Sequence, residues 1–214
     1  MRNIFKVLTR EESVKTDNLK KVLSPFGDVE IIPDIEGDLE GYTGMTGRWL
    51  EHTTAWDLLF KDLAEEYTWV IEDDIAFNQK TIKSILDSFK SDKSDLISNG
   101  IYSKSKRPNW PWWCVNYCFK DPELWKSLNC FCRISPTLIQ KVKQHRDKYG
   151  KFMFHETLFP TLSDTRLDFR KTQFKDYFNN FHWAESKIDL ESVSKSAVYH
   201  PVKLDDKHTE ICKL

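Results

Sequence analysis

Two kinds of apolar pattern alternate along the first hundred residues. Short apolar runs, typical of strands, are separated by longer stretches in which apolar residues recur at helical spacing. This alternation predicts an α/β fold with a mostly parallel, Rossmann-like central sheet flanked by helices. The predicted strands lie at residues 3–9, 28–34, 69–74 and 94–100, the predicted helices at 11–27, 48–66 and 78–91, and a loop at 34–47.

The second half of the chain has a less regular pattern. Ser135 followed by Pro136 is typical of a helix N-terminus, and we expect that helix to run to Tyr149 and to stop at Gly150. The other predicted features are an aromatic stretch at 107–119, a strand at 128–135, a short irregular or helical piece at 151–164 and a late strand at 196–203.

Composition limits the classes of function. The chain has 214 residues and a formal net charge of −1, which predict a single domain with no general attraction to nucleic acid or to an anionic membrane. No apolar run approaches the roughly 18 residues that a membrane span requires. No signal peptide is visible, so we expect a soluble, cytoplasmic protein.

The five cysteines allow two interpretations. Cys114, Cys118, Cys130 and Cys132 follow the spacing C-x3-C-x11-C-x-C. Structural zinc sites more commonly use closely spaced cysteine pairs on both sides. Reduced, buried thiols in a cytosolic protein therefore fit the pattern better than zinc does.

The stretch WVIEDDIAF, residues 69–77, contains the most informative polar residues. Glu72, Asp73 and Asp74 follow an apolar run, at the strand end where open α/β sheets bind ligands. Clustered carboxylate oxygens suit Mn²⁺ or Mg²⁺, and such an ion can bridge to a diphosphate. A solvated acidic turn or a helix N-cap is the alternative, and the residues alone leave it open.

A late segment offers residues of related chemistry. In YHPVK, His200 follows an apolar run and Lys203 lies three residues further on. A neutral imidazole can join carboxylates around Mn²⁺, and a lysine can hold phosphate oxygens as a point charge. A lone histidine is more often structural, but the acidic triplet and the lysine favour a common site.

Two stretches resemble a known family. GMTGRWLEHTTAW (44–56), followed by WVIEDDIAF, resembles the nucleotide-sugar glycosyltransferases of the GT-A fold, and in particular the lipopolysaccharide-type galactosyltransferases. Those carry a Ser-His-x-x-x-Trp helix ahead of a strand that ends in Glu-Asp-Asp. Here Glu51 replaces the serine, whereas His52 and Trp56 match. The chain also resembles the N-terminal glycosyltransferase domains of large chlorella-virus glycan-synthesis enzymes.

The resemblance implies roles for the matching residues. Asp74 would be the main ligand of Mn²⁺ (or Mg²⁺), and His200 a further ligand. Glu72 would reach the metal directly or through water, Asp73 would reach it through water, and either residue could instead hold the ribose. Lys203 would lie on the diphosphate of a UDP-sugar donor.

Other assignments follow from position in such a fold. The residues just past the first strand, Thr9 and Arg10, would contact the base and ribose, and Arg48 the diphosphate or the sugar. The single GT-A-like domain, 1–214, would divide into a nucleotide-sugar half (1–100) and an acceptor half (101–214), which also carries the C-terminal metal and diphosphate segment.

The acceptor half offers one candidate for proton transfer. Glu156 would act as a base on the acceptor hydroxyl or contact the donor sugar. A surface glutamate in the first turn of a helix is the alternative. Each tryptophan can stack on a sugar or belong to the core, and an arginine can bind a hydroxyl or form a structural ion pair. The candidate acceptor or sugar contacts are Trp110, Trp112, Trp113, Arg133 and His155.

The resemblance implies a metal-dependent glycosyltransferase. It would move a hexose or deoxyhexose from a donor of the UDP-glucose or UDP-rhamnose type to a hydroxyl of an oligosaccharide acceptor. We favour retention of configuration slightly, because the sequence shows no secure base. A metal-dependent phosphoesterase and a non-catalytic carbohydrate-binding module are the alternatives. A viral origin would imply the host cytoplasm, and further domains of a longer polypeptide are candidate partners.

Overall fold

The computed structural model describes residues 3–9, 11–33, 66–111, 113, 123–150, 154–178, 194 and 196–214. The predicted loop at 34–47 and all but the last residue of the predicted helix at 48–66 lie outside these ranges. The same holds for several residues that the sequence assigns to a site, namely Arg10, Arg48, Glu51, His52, Trp56, Trp112, Cys114 and Cys118.

Six strands and five helices are present in the described ranges. The strands are β1 (Asn3–Thr9), β2 (Gly27–Pro33), β3 (Thr68–Glu72), β4 (Leu96–Ser103), β5 (Trp125–Ile134) and β6 (Arg166–Asp168). The helices are α1 (Val14–Leu23), α2 (Gln79–Phe89), α3 (Pro136–Tyr149), α4 (His155–Leu162) and α5 (Asp205–Lys213), with short 3-10 turns at Phe169–Lys171 and Lys175–Phe178.

The strands form one sheet in the order β2-β1-β3-β5-β4-β6. β1 pairs in parallel with both β2 and β3, and β4 pairs in parallel with β6. β5 alone runs in the opposite direction, between β3 and β4. The prediction of a single-domain, Rossmann-like α/β fold with a mostly parallel sheet is confirmed.

Each face of the sheet has its own core. Alternate side chains of a strand point to opposite faces. Trp69 and Ile71 of β3 therefore pack with α1 and α2, whereas Val70 packs with α3 and α4. By the same alternation Glu72 leaves the sheet on the side of α3 and α4. Across the described ranges, every helix is too short or too polar to cross a lipid bilayer.

Local sequence signals account for the ends of α3. The Ser135 hydroxyl oxygen accepts a hydrogen bond from the Leu138 N–H at 3.0 Å, and Pro136 occupies the first turn. Gly150 ends the helix with a φ of 74°, a left-handed conformation that glycine adopts without a steric penalty. Both ends are therefore where the sequence predicts them.

The predicted late strand at 196–203 is wrong. Within that segment Tyr199 and His200 each form an isolated bridge, that of Tyr199 being antiparallel with Ala76, and no continuous strand forms. Pro201 has no N–H to donate to a ladder, which limits pairing beyond these bridges. The apolar pattern here reflects burial of Tyr199 and Val202 in a small cluster beneath α5.

Helix α5, which the sequence pattern does not predict, is fixed to the chain just after β3. His208 is fully buried, and its Nε2 donates to the Ile75 carbonyl oxygen at 2.8 Å. With the proton on Nε2, Nδ1 accepts a hydrogen bond from the Asn18 side-chain amide at 3.4 Å. The helix thereby braces the residue that follows Asp74.

We expect acid to weaken the fold through His208. Burial lowers the pKa of His208 to about 4 from its usual 6.5, although the hydrogen bond to Ile75 acts in the opposite direction. Below pH 6.5 the unfolded chain therefore takes up this proton first. The contribution of His208, about 3 kcal/mol of unfolding free energy, is complete above pH 6.5 and is lost as the pH falls to about 4. Urea unfolding across this window measures the loss.

The variant His208→Gln isolates this effect, because glutamine keeps an N–H donor for Ile75 and cannot titrate. The variant should lose less stability between about pH 6.5 and about pH 4 than the wild type does. His145→Gln should flatten the pH curve to a similar extent, because burial also lowers the pKa of His145 to about 4, and the double variant should flatten it further. Parallel pH curves for the wild type and His208→Gln would contradict the prediction.

Candidate functional site

The sheet order creates a crevice at the carboxyl ends of β1 and β3. β2 lies on one side of β1 and β3 on the other, and open α/β sheets bind ligands at such switch points. The Thr9 hydroxyl oxygen lies 2.8 Å from Asp73 Oδ2 and 2.5 Å from the Glu11 carbonyl oxygen, and its single proton can go to either. Thr9, a predicted nucleotide contact, is buried and links the two strand ends.

The three carboxylates after β3 have different surroundings. The Glu72 side chain is 35% exposed, whereas that of Asp74 is 7% exposed. Burial raises the pKa of Asp73, and the hydrogen bond from Thr9 only partly opposes this. Glu72 therefore faces the crevice, and Asp73 is engaged with β1.

The segment at 197–203 lies against the residues that follow β3. Ala76 and Tyr199 exchange two backbone hydrogen bonds, of 3.1 and 2.9 Å, and the Val202 N–H donates to the Asp74 carbonyl oxygen at 2.7 Å. These bonds bring His200 and Lys203 to the acidic triplet, although 129 positions separate Lys203 from Asp74.

Four residues predicted for the metal and the diphosphate are thus in contact. His200 Nε2 lies 3.5 Å from Glu72 Oε2 and 3.5 Å from Asp74 Oδ1. Lys203 Nζ pairs with Asp74 Oδ2. Burial acts to lower the pKa of Lys203, but the hydrogen bond and charge of Asp74 raise it above its usual value. Lys203 is half-exposed and therefore stays charged at the mouth of the site.

Two observations fit a divalent cation among these side chains. Asp74 Oδ1 is buried, and none of the described residues gives it a hydrogen bond. A buried carboxylate oxygen without a hydrogen bond is costly, and a cation bound by both Asp74 Oδ1 and His200 Nε2, which lie 3.5 Å apart, would compensate that cost. Carboxylate oxygens and an imidazole nitrogen also form a donor set that suits Mn²⁺. Glu72, Asp74 and His200 would hold the ion.

Cys130 adds a sulfur atom that the sequence does not assign to the site. β3 and β5 pair with Ile71 opposite Phe131, and this register brings Cys130 opposite Glu72. One ligand atom each from Glu72, Cys130 and His200 lie within 4.8 Å of one another. Burial, and then the charge of Glu72, raise the pKa of the Cys130 thiol well above its usual value. A hard cation such as Mn²⁺ prefers oxygen and nitrogen ligands to sulfur, so the carboxylates and the imidazole define the site for such an ion.

Glu156 lies in the first turn of α4, on the side of the sheet toward which Glu72 points. Burial raises its pKa to about 8, Lys126 and then His200 lower it, and Glu72 raises it further. These interactions show that Glu156 shares an electrostatic environment with the acidic triplet. The raised pKa means that this carboxyl group holds a proton more readily than an ordinary glutamate, and that it acts as a base at higher pH.

A buried polar network positions α4 beside β5. Asn129 Nδ2 donates to the His155 carbonyl oxygen at 2.8 Å, and Asn129 Oδ1 accepts from the hydroxyls of Ser98 and Ser127 at 2.9 and 2.6 Å. Register shifts between β4 and β5 occur at this point of the ladder. Sequence reasoning missed this network, because serine and asparagine in a strand give no periodic signal.

Comparisons with known proteins add little to this geometry. No protein-family model and no curated protein matches the chain. The chain is similar to a solved structure, the crystal structure of A197 from STIV, with a TM-score of 0.39 and 11% identity. That match covers 78% of this chain and 82% of A197.

The two described tryptophans of the aromatic stretch have different positions. Trp113 is buried, and its indole N–H donates to the Arg107 carbonyl oxygen at 2.8 Å. Trp110 is partly exposed, packs edge-on against Trp113 at 4.8 Å, and lies 4.9 Å from Lys126 Nζ. Trp113 therefore belongs to the core, whereas Trp110 keeps an exposed part at the surface, and its contact with a sugar stays a prediction.

Arg133 lies away from the acidic triplet. It pairs with Trp69, three residues before Glu72 and thus about 10 Å along the strand. Its guanidinium donates to the carbonyl oxygens of Phe89 and Asp92, at 2.7 and 2.9 Å, and to the Asp92 carboxylate at 3.0 Å. The predicted acceptor contact is wrong, and the structural ion pair is what the molecule contains.

His155 also lies in the core. Its ring is buried and packs edge-on against Phe154 and Phe159, with centroids 5.3 and 6.1 Å apart. The prediction that it contacts a sugar is not supported by this position. Cys130 and Cys132 are buried free thiols, as expected.

Proposed function

We propose that the chain is a metal-dependent glycosyltransferase of the GT-A type. It transfers a hexose or deoxyhexose from a UDP-sugar to a glycan hydroxyl. The observation that carries this proposal is the convergence of His200 and Lys203 on Asp74 and Glu72 at the strand-order switch point. An acidic turn that is merely solvated would not need a buried histidine and a paired lysine from a distant segment.

Different residues of the site bind different parts of the sugar nucleotide. Glu72, Asp74 and His200 hold Mn²⁺ or Mg²⁺. When bound, this ion stabilises the negative charge that builds on the departing diphosphate. Lys203 exchanges its pairing with Asp74 for a phosphate oxygen, which its half-exposed position allows. The link between Thr9 and Asp73 fixes the strand ends that form the floor of the nucleotide site.

Glu156 takes the proton of the acceptor hydroxyl. The sequence favours retention only because it locates no base. Glu156 supplies a candidate base, because its carboxyl group interacts electrostatically with both Glu72 and His200. We therefore propose direct displacement at the donor sugar, with inversion of configuration.

The free thiols of Cys130 and Cys132 fit a reducing compartment, and we propose that the enzyme acts in the cytoplasm. Its partners are then a nucleotide-sugar donor and an oligosaccharide acceptor. A longer polypeptide that carries further glycan-synthesis domains would bring such an acceptor close to this site.

Isothermal titration calorimetry with UDP, GDP and CMP tests the proposal directly. We expect UDP to bind in the presence of Mn²⁺, and to bind at least tenfold more weakly, a loss of about 1.4 kcal/mol, in the presence of a chelator. Incubation with UDP-glucose or UDP-rhamnose should then release UDP. If none of the three nucleotides binds in a metal-dependent way, the glycosyltransferase proposal is wrong.

A further inference from the structure

Three cationic side chains meet beside Tyr102, a short distance along the sheet edge from Glu156. Tyr102 stands near the carboxyl end of β4 and pairs with Lys126 of β5. The guanidinium carbons of Arg107 and Arg170 lie 4.7 and 4.5 Å from the centre of the Tyr102 ring. β4 runs in the same direction as β3, so this cluster and the acidic triplet share one edge of the sheet.

Arg170 is held rigidly in this cluster. Its Nη2 and Nε contact the two oxygens of Asp168 at 2.7 and 3.2 Å, and its Nη1 donates to the Tyr102 hydroxyl oxygen at 2.7 Å. The carboxylate of Asp168 is fixed in turn by the backbone N–H groups of Gly100 and Ile101, at 3.2 and 3.1 Å. One carboxylate thus pairs with one of the three cations.

The positive charges of Arg107 and Lys126 are less well neutralised by nearby carboxylates than that of Arg170. Among the described residues, no carboxylate lies within ion-pair distance of either side chain, and Arg107 is exposed. The charges of Arg107 and Arg170 both repel that of Lys126, and Glu156 is the acidic group that interacts with it. Three cations held close together, with so few anions, are typical of a site for an anionic ligand.

An aromatic surface adjoins the cations. Lys126 Nζ lies 4.9 Å above the ring of the partly exposed Trp110, which is also stacked on Phe154 at 6.0 Å. Phe154 directly precedes α4, whose first turn carries Glu156. A sugar at the exposed part of Trp110 would therefore lie close to Lys126, which interacts electrostatically with Glu156.

We propose that Arg107, Lys126 and Arg170 bind an anionic group of the acceptor, and that this acceptor is a glycan whose phosphate- or carboxylate-bearing sugar lies beside Trp110. The identification of the ligand as an acceptor depends on the proposed glycosyltransferase function. The existence of an anion-binding subsite does not depend on it. A phosphate would take charge-assisted hydrogen bonds from both arginines, and a uronate would use the planar fork of Arg107.

Metal-free calorimetry on the full chain tests the subsite, with glucose 6-phosphate, glucuronate, inorganic phosphate and glucose as probes. We expect at least one sugar anion to bind tenfold or more tightly than glucose and than inorganic phosphate, and to weaken with salt. The tighter of the two sugar anions identifies phosphate or carboxylate as the acceptor group. Arg107→Gln and Lys126→Gln should each weaken that binding about fivefold, or about 1 kcal/mol.

Lys20→Gln, which removes the same charge from the exposed face of α1, should bind like the wild type. Arg107 is exposed, so its variant keeps the fold even if Lys126→Gln does not. Equal binding of glucose and the sugar anions, or unchanged binding in Arg107→Gln, would overturn the subsite. A single-stranded oligonucleotide that binds more tightly than either sugar anion, and is weakened by Arg107→Gln, would overturn the glycan assignment. If UDP shows no metal-dependent binding but the sugar anion still binds, the proposed glycosyltransferase function is wrong and the anion subsite stands.

Discussion

Asp74→Asn should lower Mn²⁺-dependent affinity for UDP by at least 100-fold, or about 2.7 kcal/mol. Asp74 provides the most buried carboxylate of the triplet, and its Oδ1 has no hydrogen-bond partner among the described residues. The amide that replaces it carries no charge and is a weaker ligand. Calorimetry with UDP and Mn²⁺ measures the loss.

The same substitution should barely change the metal-free protein. It removes the pairing with Lys203, whose half-exposed ammonium group stays hydrated, and it also removes a buried negative charge whose Oδ1 has no hydrogen bond from the described residues, so the two effects oppose each other. Thermal unfolding without metal should therefore stay close to that of the wild type, while the stabilisation on adding Mn²⁺ and UDP disappears.

Asp87→Asn is the matched control, because it removes the same charge from an exposed pair with Lys83 on α2. It should bind UDP and Mn²⁺ like the wild type. A threefold or smaller change in affinity for Asp74→Asn would show that the triplet does not hold the metal.

Much of the fold is predictable because its signals are local. The apolar run of β3 followed by charged residues, and the cap residues of α3, depend on neighbours within a few positions. The direction of β5 is not local in this sense, since apolar alternation is the same in parallel and antiparallel strands. Helix α5 escaped prediction for a related reason: its buried residues are His208 and Ile211, too few for a helical pattern.

The site was predictable where chemistry alone identifies a residue. Three adjacent carboxylates, and a histidine with a nearby lysine, stand out without any structure. Their contact was only an expectation, because it depends on the backbone bonds of Ala76 and Val202 across the chain. Cys130 enters the site through the register of β3 and β5, which no sequence pattern encodes.

Arg133 is a residue that the sequence analysis assigned to the site and that the structure places elsewhere. A cation in a strand beside a predicted site suggested a ligand contact, yet its place along the strand sets it about three residues from the acidic end. At that depth a guanidinium needs protein partners, and Phe89 and Asp92 provide them. Whether such a cation contacts a ligand or forms a structural ion pair depends on its position along the strand. A sequence predicts that position only to within a few residues.

Glu156→Gln should reduce kcat for sugar transfer by between about 100-fold and about 10,000-fold, the range expected for loss of a general base. Burial raises the pKa of Glu156 to about 8 in the metal-free protein. A cation on Glu72 and His200 favours the charged carboxylate and lowers this pKa. The wild-type rate should therefore rise with pH, reach half its plateau below pH 8, and level off above it, whereas the variant should lack this rise.

Glu123→Gln is the matched control, because Glu123 is an exposed carboxylate that contacts Ser105 near the same sheet edge. It should keep the wild-type rate and pH profile. UDP affinity with Mn²⁺ should be unchanged in Glu156→Gln, since the base acts on the acceptor and holds no part of the nucleotide. Proton NMR of the product should show an inverted anomeric centre. A retained centre, together with a rate within threefold of the wild type in Glu156→Gln, would assign this carboxyl group to donor-sugar binding instead of proton transfer.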